Sequence, residues 1–367
     1  MNTTTFTPGT YDRRAETARI EADWAENPRW TGICRSYTAE DVVRLRGSLK
    51  RDNTIAGLGA GKLWQLLTAT DSAIDTRTAR TGSEAVQHVE TGARAIYLPD
   101  PQTVGGATTE TLHPDQSLYA LNSIPSLVRR INNAFERADQ VQWKAGTADT
   151  AAGKDYFIPI IADAEAHSDG ALNAFELMKN MIRAGAAGVC FDDRLPEDSG
   201  VLIPTSEAAQ KLNAARLAAD TEATATLIVA RTAACTCDRL SGDSDPGDRP
   251  FIRGEREEDS HFRVDSGIEH AIARALVYAA YADVVSLETA RLDMEEARRF
   301  ATAIRDAHPG TVLAYRYIGP DHALLNRAVA TFADCQSELA EMGYRLQLGT
   351  RVEAIGAPWE AHAELAA

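Results

Sequence analysis

The sequence predicts an α/β fold, a (β/α)₈ TIM-type barrel preceded by helices, from three observations. Eight short apolar stretches of strand length succeed one another along the chain, helical stretches separate the later ones, and several strands end in charged residues. Strands that alternate with helices form parallel sheets, and eight of them suit a closed barrel. We therefore expect a site at the carboxyl ends of the strands, where barrel enzymes carry their catalytic groups.

Helices come first in the predicted order, at Glu16–Asn27, Ala39–Leu49 and Ile55–Leu67. The predicted strands are Ile74–Arg80, Ala93–Leu98, Phe157–Asp163, Gly188–Phe191, Thr226–Arg231, Ala282–Glu288, Thr311–Arg316 and Arg345–Thr350. Apolar residues at helical spacing predict further helices at Leu172–Ile182, Ser206–Asp220, Ile268–Tyr281 and Met294–Ala307. Gly185 is expected to end the first of these. We expect two parts, a helical segment over residues 1–72 and a barrel domain over residues 73–367.

Two long stretches lack these patterns. Leu98–Leu121 contains Pro and Gly, and Ala233–Asp265 is rich in Gly, Asp, Pro and Ser. Long loops at the carboxyl face of a barrel usually shape the site. The charged run Arg253–Asp259 is interpreted as a solvated loop rather than a binding patch.

Carboxylates cluster at the ends of two successive predicted strands. Asp163 and Glu165 lie two residues apart at the end of one strand, so their side chains are expected to share a face. The next strand ends in Asp192 and Asp193. Clustered acids repel one another unless a cation joins them, which favours a hard-cation site. The alternative is that each acid caps a helix or meets a neighbouring arginine.

Two arginines end later strands. Arg231 follows the apolar run TLIVA, and Arg316 ends the seventh predicted strand. A guanidinium can bind a carboxylate or phosphate through a forked pair of donors. The alternative for each arginine is an ion pair with Glu288 or Asp192. A cation beside arginines suits a small anionic substrate chelated to Mg²⁺.

Composition narrows the class of protein. The chain has 367 residues and a net charge of −15, with no basic stripe, which argues against nucleic-acid binding. The apolar runs are too short to span a membrane, and the polar stretch Met1–Arg13 does not resemble a signal peptide, so a cytoplasmic location is expected. Five widely spaced cysteines do not suggest a disulfide framework. Cys235 and Cys237 form a Cys-x-Cys pair that lacks a second pair at zinc spacing, so reduced thiols are the preferred interpretation.

Several long segments between about Trp24 and Thr350 carry a specific pattern. They are PRWTGICRSYTAEDVVRLRGSL, HPDQSLYALNSIPSLVRRINNAFERADQ, ADAEA, GALNAFELMKNMIRAGAAGVCFDD, LIPTSEAAQKLNAARLAAD, LIVART, GIEHAIARALVYAAYADVVSLET and ARRFATAI. With these segments the chain resembles the isocitrate lyase family, within the isocitrate lyase/phosphoenolpyruvate mutase superfamily. This resemblance implies the modified (β/α)₈ barrel of that family, preceded by helices.

The resemblance implies a set of site residues. The positions that match those around Mg²⁺ (or Mn²⁺) in the family are Asp115, Asp163, Glu165 and Asp192, the last in place of a Glu. Arg231 resembles the ligand of the substrate carboxylate. Tyr97, Glu288 and Thr350 also match, Tyr97 and Glu288 as catalytic candidates and Thr350 as a substrate-binding one.

The family's catalytic groups are not matched. The Lys-Lys-Cys-Gly-His signature of the family falls on Leu195–Val201, which has no Lys, Cys or His. The family's Ser-Gly-Trp is Pro99–Pro101 here, and its Asn-Cys-Ser-Pro-Ser is Arg316–Pro320. Ala233 stands where the family has Asp. These differences argue against ordinary isocitrate cleavage, because general acid–base groups contribute about 10²–10⁴-fold each.

Few residues could replace the proton-transferring Cys of the family's signature. His167 has the strand parity of Glu165 and is a candidate acid or base; the alternative is a surface histidine. Cys190 has the parity of Asp192, and a small core thiol is the preferred interpretation. Cys235 and Cys237 are weaker candidates for a place at the mouth.

Two classes of function remain from the sequence. The first is a Mg²⁺-dependent enzyme that acts on another small 2-oxo or 2-hydroxy carboxylic acid by a carbon–carbon bond reaction through an enolate. A lyase close to isocitrate or 2-methylisocitrate cleavage is a narrower version of it. The second is a catalytically silent homologue with a binding or regulatory role. A homo-oligomer is expected in either case, with the family's tetramer weakened because its C-terminal helices are not matched.

Overall fold

The structure is a computed structural model that describes residues 12–48, 51–69, 73–99, 122–150, 153–164, 170–196, 198–318 and 335–348. Its strands in chain order are β1 (Ile74–Asp75), β2 (Arg77–Thr78), β3 (Ile96–Leu98), β4 (Ile160–Asp163), β5 (Gly188–Asp192), β6 (Arg194–Leu195), β7 (Asp198–Leu202), β8 (Leu227–Thr232), β9 (Arg239–Leu240), β10 (Ile252–Arg253), β11 (Phe262–Val264), β12 (Val284–Thr289), β13 (Val312–Tyr317) and β14 (Tyr344–Gln347).

A curled parallel sheet forms the centre of the molecule. Its strand order is β1-β14-β13-β12-β8-β5-β4-β3-β2, and each neighbouring pair is parallel. Thr76 alone separates β1 from β2, so both edges of the sheet belong to one stretch of chain and the sheet closes into a barrel of eight strand positions. Thr76 Oγ1 donates to the carbonyl of Gln347 at 2.9 Å across this closure. The predicted barrel and its eight strands are confirmed.

The helices in chain order are α1 (Arg13–Glu26), α2 (Ala39–Arg46), α3 (Thr54–Ala69), α4 (Gly82–Glu90), α5 (Ser123–Ala145), α6 (Gly170–Ala184), α7 (Thr205–Thr221), α8 (Ile268–Tyr278) and α9 (Met294–Ala307). All seven predicted helices are present, whereas α4 and α5 were not predicted. Residues 335–341 are also helical. Gly185 ends α6 with φ +97°, and a Cβ there would lie 2.4 Å from Nδ2 of Asn132, so both backbone and space require glycine.

Strand alternation separates two layers of core. Inward side chains such as Ile161, Val229 and Val284 fill the barrel, whereas their neighbours Ala162 and Ile228 pack against the surrounding helices. Because both faces are buried, the strands are nearly continuous apolar runs. The alternation also turns the last inward residue of each strand towards the mouth of the barrel, at its carboxyl end.

A second, small sheet lies beyond the carboxyl ends of β5 and β8. Its order is β10-β11-β9-β7-β6, and β7 and β9 form its one parallel pair among the described strands. The interpretation of Ala233–Asp265 as irregular was wrong, because β9, β10 and β11 lie within it. These strands of two or three residues carry arginines that are exposed or half-buried, and they have no apolar run to reveal them. The run Arg253–Asp259 is exposed, as predicted.

A buried polar network fixes this small sheet to the barrel. Asp248 accepts hydrogen bonds from the backbone N–H and hydroxyl of Thr205 at 2.7 and 2.6 Å and from Arg274 Nη1 at 2.8 Å. His270 lies 3.2 Å from the same carboxylate and stacks on Phe251. Burial alone would raise the pKa of Asp248, but the hydrogen bond with His270 and the charge of Arg274 lower it to about 2.

The N-terminal helices attach to the barrel through interleaved aromatic and cationic side chains. The guanidinium of Arg35 lies between the rings of Trp24 and Trp30, at 4.2 and 4.9 Å, and that of Arg29 lies between Trp30 and Trp64, at 4.9 and 4.8 Å. Such cation–π contacts add to the burial of the rings.

Within the described residues, no helix combines the length and apolar character that a membrane span requires.

Candidate functional site

Six of the predicted residues meet inside the carboxyl end of the barrel. They come from six different strands and are Tyr97, Asp163, Asp192, Arg231, Glu288 and Arg316. Four of them are at most 1% exposed, and the side chains of Asp192 and Arg316 are 6% and 13% exposed. The predicted convergence of acids and arginines at strand ends is therefore present.

Asp163 is surrounded by donors. Tyr97 Oη lies 2.8 Å from both carboxylate oxygens, Arg231 Nη1 lies 2.8 Å from Oδ2, and Arg316 Nη1 lies 3.3 Å from the same oxygen. Burial raises the pKa of Tyr97 well above its usual value, so its hydroxyl stays protonated and donates to Asp163. The position of Asp163 is thus fixed from three sides.

Arg231 joins two of the acids at the centre of the site. Its Nη1 reaches Asp163, and its Nη2 donates to Oδ2 of Asp192 at 2.7 Å. Its Nε also lies 3.4 Å from Oε2 of Glu288. Its side chain is fully buried, so these contacts act with little competition from water. Both arginines therefore form the ion pairs that the sequence left as an alternative, and they form them within the site.

Arg194, at the start of β6, is a site residue that the sequence analysis missed. Its Nη1 donates to Oδ2 of Asp192 at 2.7 Å, its Nη2 is hydrogen-bonded to Oε1 of Glu288, and the same Nη2 lies 3.2 Å from Thr236 Oγ1. Its backbone N–H also donates to Oδ1 of Asp192 at 3.0 Å. The signal in the sequence that could have identified Arg194 was its position two residues after Asp192.

Three guanidiniums therefore face three carboxylates among the described residues of the site. The arginines nevertheless do not stabilise the charged form of each carboxylate to the same extent, as the pKa values of two of them indicate. Burial and the neighbouring charge of Glu288 raise the pKa of Asp192 to about 7, against the opposing charge of Arg194. Burial would also raise the pKa of Glu288, but the charges of Arg194, Arg231 and Arg316 outweigh it and lower that pKa.

Asp193 faces away from the barrel interior. It accepts hydrogen bonds from the N–H of Ala233 and Nε of Arg274, both at 2.9 Å, and from Tyr278 Oη at 3.1 Å. Asp193 therefore holds the end of β5 against β8 and α8, and it supports the position of Asp192 rather than joining the acid cluster. Ala233 itself lies buried on this network.

The cysteines of the site region are protonated thiols. Cys190 is fully buried 3.6 Å from Arg231 Nη1, and burial raises its pKa, as expected for a core thiol. Burial raises the pKa of Cys235 to about 12 and that of Cys237 to about 11. Cys237 Sγ lies 3.5 Å from the carbonyl of Ser199 in the small sheet.

Four predicted site residues lie outside the described residues: Asp115, Glu165, His167 and Thr350. Their roles stay predictions. The described ranges by themselves contain no group of three or more His, Cys, Asp or Glu side chains placed to hold a metal ion.

One observation nevertheless fits a cation at this site. Oε2 of Glu288 is buried and receives no hydrogen bond. This oxygen lies 3.4 Å from Nε of Arg231 and 3.5 Å from Nη1 of Arg316, so its charge is compensated, but its capacity to accept a hydrogen bond or to coordinate a cation is open. Carboxylate oxygens are also the donors that Mg²⁺ and Mn²⁺ prefer.

The fold is that of the α/β-barrel proteins, and the cluster at the carboxyl ends of the strands is its candidate active site. The chain belongs to the isocitrate lyase family, whose model matches residues 16–261 and 254–353. It is similar to isocitrate lyase of Escherichia coli K12, with 47% identity over 92% of this chain and 80% of that protein. Isocitrate lyase 1 of Mycobacterium tuberculosis is 42% identical over 90% of this chain and 78% of that protein.

Solved structures support the fold. Oxaloacetate acetylhydrolase in complex with oxalate matches with a TM-score of 0.53 and 20% identity, over 79% of each chain. 2,3-Dimethylmalate lyase matches with a TM-score of 0.52 and 18% identity, over 79% of this chain and 80% of that one. The family membership and the isocitrate lyase relatives place the protein among the lyase-type enzymes of the isocitrate lyase/phosphoenolpyruvate mutase superfamily.

Proposed function

We propose that the protein is a divalent-cation-dependent lyase that makes or breaks a carbon–carbon bond in a small 2-oxo or 2-hydroxy carboxylic acid, and that it does not cleave isocitrate in the ordinary way. The observation that carries the proposal is the convergence of Asp163, Asp192, Arg231, Glu288 and Arg316 at the mouth of the barrel. In this family the cluster combines oxygen donors for a hard cation with guanidiniums for a carboxylate.

The proposed metal ligands are Asp163 and Asp192, with Asp115 and Glu165. A Mg²⁺ ion bound there would stabilise the negative charge that develops on an enolate oxygen. Tyr97 and Arg231 would hold Asp163 in place through the hydrogen bonds described above, so little reorganisation would be needed as the charge develops.

Arg316 is proposed to bind the substrate carboxylate. It is the penultimate residue of β13, and its side chain is 13% exposed at the mouth, whereas that of Arg231 is fully buried. Its Nη1 already lies 3.3 Å from Asp163 and 3.5 Å from Glu288, which holds the guanidinium beside the proposed metal ligands. Arg231 would orient the same substrate carboxylate from the side opposite Arg316, and Thr350 is the predicted further contact.

The small sheet is the reason to propose that the protein does not cleave isocitrate in the ordinary way. The stretch that matches the family's Lys-Lys-Cys-Gly-His signature begins in β6 and continues in β7, and Cys237 Sγ contacts the β7 carbonyl of Ser199. The described part of this stretch has no residue type whose usual side-chain pKa lies near neutral pH, as proton transfer would require. Among the catalytic candidates, Tyr97 stays protonated and could only donate a proton, Glu288 with its lowered pKa could only accept one, and His167 could do either. Proton transfer would therefore differ from that of ordinary isocitrate cleavage.

Proton NMR tests the proposal. The protein is incubated with isocitrate, 2-methylisocitrate, oxaloacetate, and glyoxylate plus succinate, with and without Mg²⁺. We expect Mg²⁺-dependent loss of one compound, or exchange of its α-proton with solvent, and loss of that change in Asp163→Asn. Rapid turnover of isocitrate would contradict the altered specificity.

The silent homologue is the competing interpretation, because each described acid of the cluster already has an arginine partner. Panel compounds that stay unchanged, together with no detectable Mg²⁺ binding, would favour a binding role over catalysis.

A further inference from the structure

We infer that Arg194 is an internal cation that competes with the divalent metal ion for Asp192 and neutralises Glu288 beside it, and so sets the affinity of the site for metal. The inference rests on the proposed function, since it concerns regulation of that same site.

The contacts of Arg194 are those expected of a charge that bridges two acids. One arm of its guanidinium donates to Oδ2 of Asp192 at 2.7 Å, and the other is hydrogen-bonded to Oε1 of Glu288. The two acids lie on β5 and β12, which are not neighbours in the sheet, so the guanidinium links separate strands. A forked donor suits this bridging role, because its two arms point to two acceptors at once.

Among the three arginines of the cluster, Arg194 is the one placed to leave. Arg231 is fully buried, and Arg316 extends from a barrel strand. Arg194 instead begins the small sheet beyond the barrel, and its side chain is 16% exposed, the largest value of the three. A change of side-chain rotamer would carry its guanidinium towards solvent without moving the barrel.

The acids would stay oriented after Arg194 leaves. Asp192 would keep the backbone N–H of residue 194 at 3.0 Å and Arg231 Nη2 at 2.7 Å. Glu288 would keep Arg231 at 3.4 Å and Arg316 at 3.5 Å. Departure of the guanidinium would therefore expose two positioned carboxylates, and the site would have lost one positive charge that repels a divalent cation.

Calorimetric titration with Mg²⁺ alone, without substrate, tests the inference. We expect Arg194→Gln to bind Mg²⁺ at least about tenfold more tightly than the wild-type protein, because the competing charge is gone. Arg194→Lys keeps a charge and supports folding, but an ammonium group lacks the fork that bridges both acids, so its affinity should rise by about threefold or more. Arg239→Gln is the matched control, because Arg239 lies in the same small sheet and pairs with Asp198 and Asp259 away from the cluster.

The outcomes separate the inference from the proposed function. Equal Mg²⁺ affinity in the wild-type protein and both Arg194 variants would overturn the competition and leave the metal-dependent lyase intact. No binding by any of the proteins at millimolar Mg²⁺ would remove the metal requirement and the inference with it. A rise in affinity that Arg239→Gln shares would also overturn the inference, since it would reflect net charge alone.

Discussion

Replacing Arg231 with methionine is the sharpest test of how the site is held together. Arg231 is fully buried, and its guanidinium contacts Asp163 at 2.8 Å and Asp192 at 2.7 Å. Methionine fills similar space without a charge, so the variant removes the ion pairs and leaves two buried acids short of a partner. Removing one member of a buried ion pair costs about 3–5 kcal/mol.

The remaining contacts place the expected loss near the lower end of that range. Asp163 would keep Tyr97 at 2.8 Å and Arg316 at 3.3 Å, and Asp192 would keep Arg194 at 2.7 Å. We therefore expect Arg231→Met to lose about 3 kcal/mol of unfolding free energy. Urea unfolding, followed by tryptophan fluorescence and far-UV circular dichroism in parallel, measures the loss.

The matched control is the same substitution at a surface ion pair. Arg263 contacts Asp238 and Glu257, and its side chain is 57% exposed, so Arg263→Met should change the unfolding free energy little. A loss below about 1 kcal/mol in Arg231→Met as well would refute the account, because it would mean that the acids do not depend on Arg231 for compensation.

Three further predictions concern the surroundings of the site. Asp193→Asn weakens the acceptor that holds α8 to the end of β5 and should cost about 2–4 kcal/mol by thermal unfolding; an unchanged melting temperature would contradict the supporting role. The folded pKa of Asp248, about 2, lies below its usual value, so the stability it contributes is present above about pH 4 and is lost as the pH falls to about 2. Asp248→Asn should lack this part of the acid dependence in melts at stepped pH, and a profile parallel to the wild type would exclude it. Trp30→Ala should free the N-terminal helices and speed their cleavage by trypsin at least about tenfold, whereas Trp143→Ala, at a side chain that is 69% exposed, should not.

The barrel was predictable from the sequence because of how its strands are buried. A parallel strand with helices outside and a packed interior is apolar on both faces, so runs such as TLIVA mark strands directly. Five of the candidate site residues were found for a related reason: a charged residue at the end of an apolar run lies at the mouth of the barrel. Tyr97 is uncharged and was found only through the resemblance to the family. Element ends differ from the prediction by a few residues, as at Arg46 against Leu49 in α2.

Arg194 and the small sheet were missed for physical reasons. Arg194 meets Glu288 across 94 residues of sequence, and no local pattern encodes such a contact. Strands such as β9 and β10 are two residues long and carry arginines, so neither length nor alternation reveals them. Asp193 could have been excluded from the acid cluster, since it follows Asp192 directly and successive strand residues face opposite ways.

Binding of oxalate, a planar dicarboxylate that resembles an enolate, tests the central claim most directly. Calorimetry would compare the wild-type protein and Arg316→Ala, with and without Mg²⁺. We predict that binding requires Mg²⁺ and weakens by at least about 2 kcal/mol, or roughly thirtyfold, in Arg316→Ala. Oxalate binding that is unchanged without Mg²⁺ and unchanged in Arg316→Ala would contradict the claim that this cluster is the substrate site.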